Sequence, residues 1–127
     1  MDRELSLSVV GLDFANPDKS NRRFEMAMCR PGERVELVPE PKNKADPGAI
    51  AVFSARGVQL GYLTAERCGV VGSWLRAGEG GEAIFQEPGR WAAVIRARFG
   101  GGAPTLPPRA PPNSGPEESP DTTDWGC

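Results

Sequence analysis

Residues 5–12 (LSLSVVGL) set apolar Leu5, Leu7 and Val9 against Ser6 and Ser8. Side chains on a strand point to opposite faces in turn, so this period of two predicts a strand with one buried face. The alternation returns in 23–29 (RFEMAMC), where Phe24, Met26 and Met28 share a side, and Pro31-Gly32 then marks a turn. Val35 with Leu37, and Ile50 with Val52, predict two strands around the proline-bearing loop Pro39–Gly48. Residues 58–63 (VQLGYL) predict a fifth, with Val58, Leu60 and Tyr62 on one face. The period then changes. Thr64 suits a helix N-cap, Glu66 suits the first turn, and Cys68, Val71 and Leu75 follow at helical spacing. Gly69 and Gly72 weaken this helix by roughly 1 kcal/mol each relative to alanine, and Gly78–Gly81 ends it. Residues 82–87 (EAIFQE) and 91–99 (WAAVIRARF), joined at Pro88-Gly89, complete a reading of seven short strands and one convincing helix. The expected fold is mainly β with one or two helices. About six or seven strands would curl into a small, partly closed antiparallel barrel.

A chain of 127 residues accommodates one such domain. It contains no histidine, which excludes Ser-His-Asp and Cys-His catalysis and any zinc site that needs an imidazole. The carboxylates are scattered, and Asp46 alone does not supply the converging set that two-metal hydrolysis needs. No catalytic residue, metal or cofactor is therefore expected. Cys29, Cys68 and Cys127 form no closely spaced pair, so separate reduced thiols are expected. No apolar run is long enough to span a bilayer or resembles a signal peptide, so a cytoplasmic protein without a membrane partner is expected.

The net charge of −2 is unevenly placed. Residues 1–99 carry 14 basic and 13 acidic side chains, whereas 100–127 carry Arg109 against Glu117, Glu118, Asp121 and Asp124. The latter stretch also holds seven of the 13 prolines and few large apolar residues. It cannot bury enough area to offset the entropy of ordering, so 1–99 is expected to fold and 100–127 to form a disordered acidic tail. Such a tail either solubilises the domain or competes with a polyanion for its binding surface.

The segment 33–52 (ERVELVPEPKNKADPGAIAV) contains an unusual connection. Prolines fix their own backbone angles and restrict the preceding residue, so Pro41 and Pro47 stiffen a loop carrying Lys42, Asn43, Lys44 and Asp46. Fixed donors and an acceptor are what a polar ligand requires. Asn and Asp in loops also bond their own backbone in Asx-turns, which is the competing explanation.

"VVGLDF" at 9–14, "EPKNKADPGAIAV" at 40–52 and "GVQLGYL" at 57–63 followed by a helix resemble the HIRAN domain. The resemblance covers nearly all of 5–99. It implies an OB-like barrel that binds single-stranded DNA at its 3′-hydroxyl end, in DNA repair or replication-fork processing, and performs no chemistry itself. A helicase or nuclease acting in trans is the implied enzyme partner. By match to the family pattern, Phe14 would stack on a base, Asn43 and Asp46 would meet the strand end, and Asp46 would accept from the hydroxyl. Tyr62 would lie beside them, and Trp91 would close the pocket. Alternatively, Phe14 and Trp91 fill the barrel end, and Tyr62 is a core ring with its hydroxyl at the surface.

The chain departs from the family pattern in three places. Asp13 stands where DNA-binding members have an arginine, Ala15 replaces a second aromatic residue, and the Thr64–Ala65 region replaces a lysine, with Arg67 the nearest base. Losing a cation beside a phosphate site lowers affinity. Arg22, Arg23, Lys42 and Lys44 compensate if the 16–23 loop folds toward the pocket. Asp13 and the acidic tail motivate the alternative of a protein-interaction adaptor with a degenerate DNA pocket.

Overall fold

The alternating pattern becomes six strands and two helices in the computed structural model, which describes residues 3–107. In chain order these are β1 (Arg3–Val10), α1 (Arg22–Met28), β2 (Arg34–Pro39), β3 (Ile50–Phe53), β4 (Gln59–Leu63), α2 (Ala65–Arg76), β5 (Gly81–Glu87) and β6 (Ala93–Phe99). The strands close into an antiparallel barrel in the order β1-β4-β3-β2-β5-β6, with β6 returning to β1. The β1–β6 seam is long, running from Arg3↔Phe99 to Val9↔Ala93. Between β2 and β5 only Arg34↔Ile84 and Val35↔Ala83 pair.

The inward positions are those the period of two selects. Leu7 and Val9 of β1, Phe85 of β5, and Ala93, Ile95, Ala97 and Phe99 of β6 are buried together with Leu60 and Leu63 of β4. Small residues let the strands approach. A Cβ on Gly61 would lie 2.1 Å from the Val10 carbonyl oxygen across the β1–β4 seam. Helix α2 adds Cys68 and Val71 to the core, and its Trp74 ring lies 5.0 Å from that of Phe99.

The expected strand at 23–29 is instead helix α1. The Asn21 side chain accepts from the Phe24 N–H at 2.8 Å and caps it. Burial follows the helical period, covering Arg22, Glu25, Met26 and Cys29, while Phe24 and Met28 are exposed. The alternating apolar residues therefore did not mark a sheet face. Polar bonds fix the helix to the barrel. Glu25 accepts from Ser54 Oγ at 2.7 Å and from Arg56 Nε at 2.6 Å, and Arg56 reaches Glu33 at 3.2 Å. Arg22 donates from Nη1 to the Gly11 carbonyl at 2.8 Å and from Nε to Asn16 Oδ1 at 2.6 Å.

Cys29 is a buried free thiol whose pKa burial pushes up to about 11, which keeps it protonated at neutral pH. Cys68 is disulfide-bonded, which corrects the expectation of three separate thiols. Cys127 and the rest of 108–127 lie outside the described residues, as does that part of the expected disordered tail. In the described part of the tail, Pro104 is buried, and Thr105 donates from its N–H and hydroxyl to Glu4 at 3.0 and 2.9 Å.

The buried and exposed arginines of α1 differ in what their loss should cost. Arg22→Met leaves the Gly11 carbonyl and the Asn16 amide oxygen short of a donor and lowers stability by about 2–4 kcal/mol in urea denaturation. Arg23→Gln breaks a solvent-screened pair and one exposed bond to the Arg90 carbonyl, and shifts the urea midpoint far less than Arg22→Met. Glu4 gives a third expected outcome. The Thr105 N–H, the Arg96 guanidinium and the Thr105 hydroxyl lower its pKa from 4.5 to about 2. A depressed carboxyl contributes stability above its unfolded value, and that contribution disappears as pH falls from 4.5 toward 2. Glu4→Gln should therefore be less stable at pH 7 and show a shallower loss of urea midpoint across this interval.

Candidate nucleic-acid interface

Tyr62 lies near the end of β4 with Val10 of β1 on one side and Ala51 of β3 on the other. The chain that leaves Val10 turns at Gly11 toward Phe14, and the chain that enters β3 comes from the proline-bearing loop. Strand pairing alone therefore brings both segments to the same rim of the barrel. Between them is a cavity of about 390 Å³ lined by Phe14, Arg22, Asn43, Ala45, Asp46, Ala49 and Tyr62. Its volume suits a ligand the size of a nucleotide.

Each wall is held by identifiable bonds. Gly11 adopts a positive φ of 86°, which glycine tolerates, and its carbonyl accepts from the Phe14 N–H as well as from Arg22. Phe14 is 58% exposed, which excludes its role as a barrel-end core residue. On the opposite wall, the Glu40 N–H donates to the Ala49 carbonyl at 2.9 Å and closes the loop at its base. Asn43 Oδ1 accepts from the Ala45 and Asp46 N–H groups, and Asp46 Oδ1 accepts from the Gly48 N–H. The Asx-turns weighed as an alternative are thus present, and they are what holds Asn43 and Asp46 half-buried at the cavity.

Behind this wall is Glu40, which sequence reasoning did not single out. Its Oε1 accepts from the Tyr62 hydroxyl at 2.9 Å and from Asn43 Nδ2 at 3.0 Å. No periodicity or spacing marks it. The only sequence signal is a carboxylate at the mouth of a loop rich in donors. Arg22 completes the floor, its guanidinium carbon 5.7 Å from the Tyr62 ring centroid. Burial lowers the Arg22 pKa, opposed by the neighbouring Tyr62 and Glu40. At 6% exposure Arg22 is a buried cation beneath the cavity rather than a surface one.

The remaining expected residues are distributed around the rim. Arg23 does not line the cavity. It forms a two-point ion pair with Asp13 and donates to the Arg90 carbonyl at 2.8 Å. That pair holds the Asp13 carboxyl below its usual pKa and balances its charge. Trp91 precedes β6 outside the cavity, 43% exposed, with the Arg90 guanidinium 5.0 Å from its ring. Neither barrel-end packing nor closure of the cavity describes its position. Lys42 and Lys44 are exposed on the loop and not part of the cavity wall. A larger cavity of about 520 Å³ lies where β2 and β5 diverge, but its lining has no aromatic side chain and none of the expected residues.

The HIRAN domain family model matches residues 3–83. No curated protein matches the chain. Among solved structures, the HIRAN domain of human HLTF is 22% identical, with a TM-score of 0.61 over 76% of this chain and 74% of that one. A protein from Lactobacillus plantarum is 18% identical, with a TM-score of 0.63 over 78% of this chain and 97% of that one. Both likenesses concern the barrel fold. The matched segment runs from β1 into β5 and contains every residue lining the 390 Å³ cavity, and on that match the chain belongs to the HIRAN domain family.

Proposed function

We propose that this protein is a non-catalytic module that binds the 3′-hydroxyl end of single-stranded DNA during repair or replication-fork processing. It would present that end to a helicase or nuclease acting in trans. Membership in the HIRAN family supports the coarser statement, a DNA-binding module. One observation carries the finer reading: an exposed ring (Phe14), a fixed carboxylate (Asp46) and a phenol (Tyr62) surround one nucleotide-sized cavity. A terminal base stacks on Phe14, its hydroxyl donates to Asp46, and bulk or negative charge at that position excludes an internal nucleotide or a 3′-phosphate. With Asp13 neutralised by Arg23, the cations Arg90, Lys42 and Lys44 around the rim favour the backbone. The adaptor reading loses one of its two supports, because Asp13 is paired with Arg23.

Fluorescence anisotropy with short oligonucleotides ending in 3′-hydroxyl or 3′-phosphate tests this at low and moderate salt. The protein should prefer the hydroxyl end. Asp46→Ala should erase the preference, and Phe14→Ala should weaken binding to either strand by about tenfold, within the range of one lost base stack. Equal affinity for both ends, or none for either, overturns end recognition.

A further inference from the structure

We infer that Glu40 is a positioning residue that sets the hydrogen-bond polarity of the cavity, so that the site accepts from a ligand hydroxyl and repels a phosphate. This rests on the end-binding reading above and names the group that enforces its selectivity.

The inference follows from counting donors and acceptors. An ionised carboxylate only accepts hydrogen bonds. Because Tyr62 lies 2.9 Å from Glu40 Oε1, its single O–H points at Glu40, and the phenol oxygen has only lone pairs left for a ligand. Asn43 is oriented by the same oxygen, although its amide keeps one further N–H. Its Nδ2 donates to the same Oε1 at 3.0 Å, while its Oδ1 is occupied by the Ala45 and Asp46 N–H groups. One oxygen atom thus fixes the orientation of both side chains. Asp46, whose Oδ1 already accepts from Gly48, adds a second carboxylate to the wall. A hydroxyl entering this cavity finds acceptors. A phosphate meets the Tyr62 lone pairs and two carboxylates, which outnumber the single positive charge of Arg22 (left in place by its bonds to the neutral Gly11 and Asn16 oxygens) and the one remaining Asn43 N–H.

Glu40 also leaves a signature on the phenol that is independent of DNA. Burial is the largest cause raising the Tyr62 pKa above its usual 10.0. The Gln59 side chain opposes that shift, and Glu40 adds to it. Tyr62 is the single tyrosine of the chain, so absorbance titration of the phenolate reads this residue alone.

The experiment uses the full chain and its Glu40→Gln variant, which keeps an oxygen for both bonds and removes the charge. Phenol titration should place wild-type Tyr62 above 10.0 and the variant lower but still raised by burial. In anisotropy, Glu40→Gln should lower the ratio of 3′-hydroxyl to 3′-phosphate affinity. The variant should bind the 3′-phosphate form at least about fivefold better, narrowing the preference. Tyr62→Phe, which removes the acceptor and leaves Glu40 in place, should lose affinity mainly for the hydroxyl end. An unchanged Tyr62 titration in Glu40→Gln overturns the inference, as does a preference as wide as that of wild type. A wild-type protein that does not discriminate, with Tyr62 nevertheless shifting in the variant, overturns the end-binding reading and leaves the Glu40–Tyr62 coupling intact.

Discussion

The cavity depends on one buried cation. Arg22 is fixed at the start of α1, donates to the Gly11 carbonyl and Asn16, and lies over the Tyr62 ring. Gly11 begins the turn that carries Phe14, Asn16 begins the loop that carries the α1 cap, and Tyr62 is the cavity's phenol. A guanidinium at 6% exposure is stable only if its donors are satisfied, so the three segments are held to it and through it to each other. The same requirement explains why α1 is placed beside β4 although it spans only Arg22–Met28. A helix this short has little stability in isolation and is held by tertiary bonds at both ends, Arg22 at one and the Glu25–Arg56–Glu33 group toward the other.

How much of this was legible varies with the physical origin of each feature. The strands β1, β5 and β6 were legible because one face is buried and the other solvated, which writes a period of two into the chain. Helix α2 was legible from Cys68, Val71 and Leu75. Helix α1 was misread because Phe24, Met26 and Met28 alternate like a strand, yet only Met26 is buried. The informative signs were polar: Asn21 as a cap, and Arg22, Glu25 and Cys29 spaced by three and four. A polar residue enters a core only when tertiary partners satisfy it, and partners distant in sequence cannot be read from local pattern.

The loop between β2 and β3 shows that two explanations weighed as alternatives act together. Asn43 bonds its own backbone, as short polar side chains in turns commonly do. That self-bonding sets the loop's shape, and with Pro41 and Pro47 it removes conformations that a ligand would otherwise have to suppress. Rigidity made by local bonds is thus a precondition for recognition. Glu40 was invisible at the sequence level because its importance arises only when Tyr62, 22 positions later, returns across the barrel to meet it.

Charge placement then decides what kind of nucleic-acid contact the site favours. An unpaired Asp13 would repel a phosphate, but Arg23 pairs with it at two points and extends to the Arg90 carbonyl. The pair contributes little to stability at the surface. Its effect is electrostatic: it neutralises the anion next to Phe14 and ties that turn to the segment carrying Arg90 and Trp91. Inside the cavity the balance is reversed, with the Asp46 wall and the Glu40 support opposing a single engaged guanidinium. Cations outside and acceptors inside form a gradient along the path of a strand. Under the proposed function, the rim would attract phosphates and the cavity would favour the one position on the strand where a phosphate is replaced by a hydroxyl.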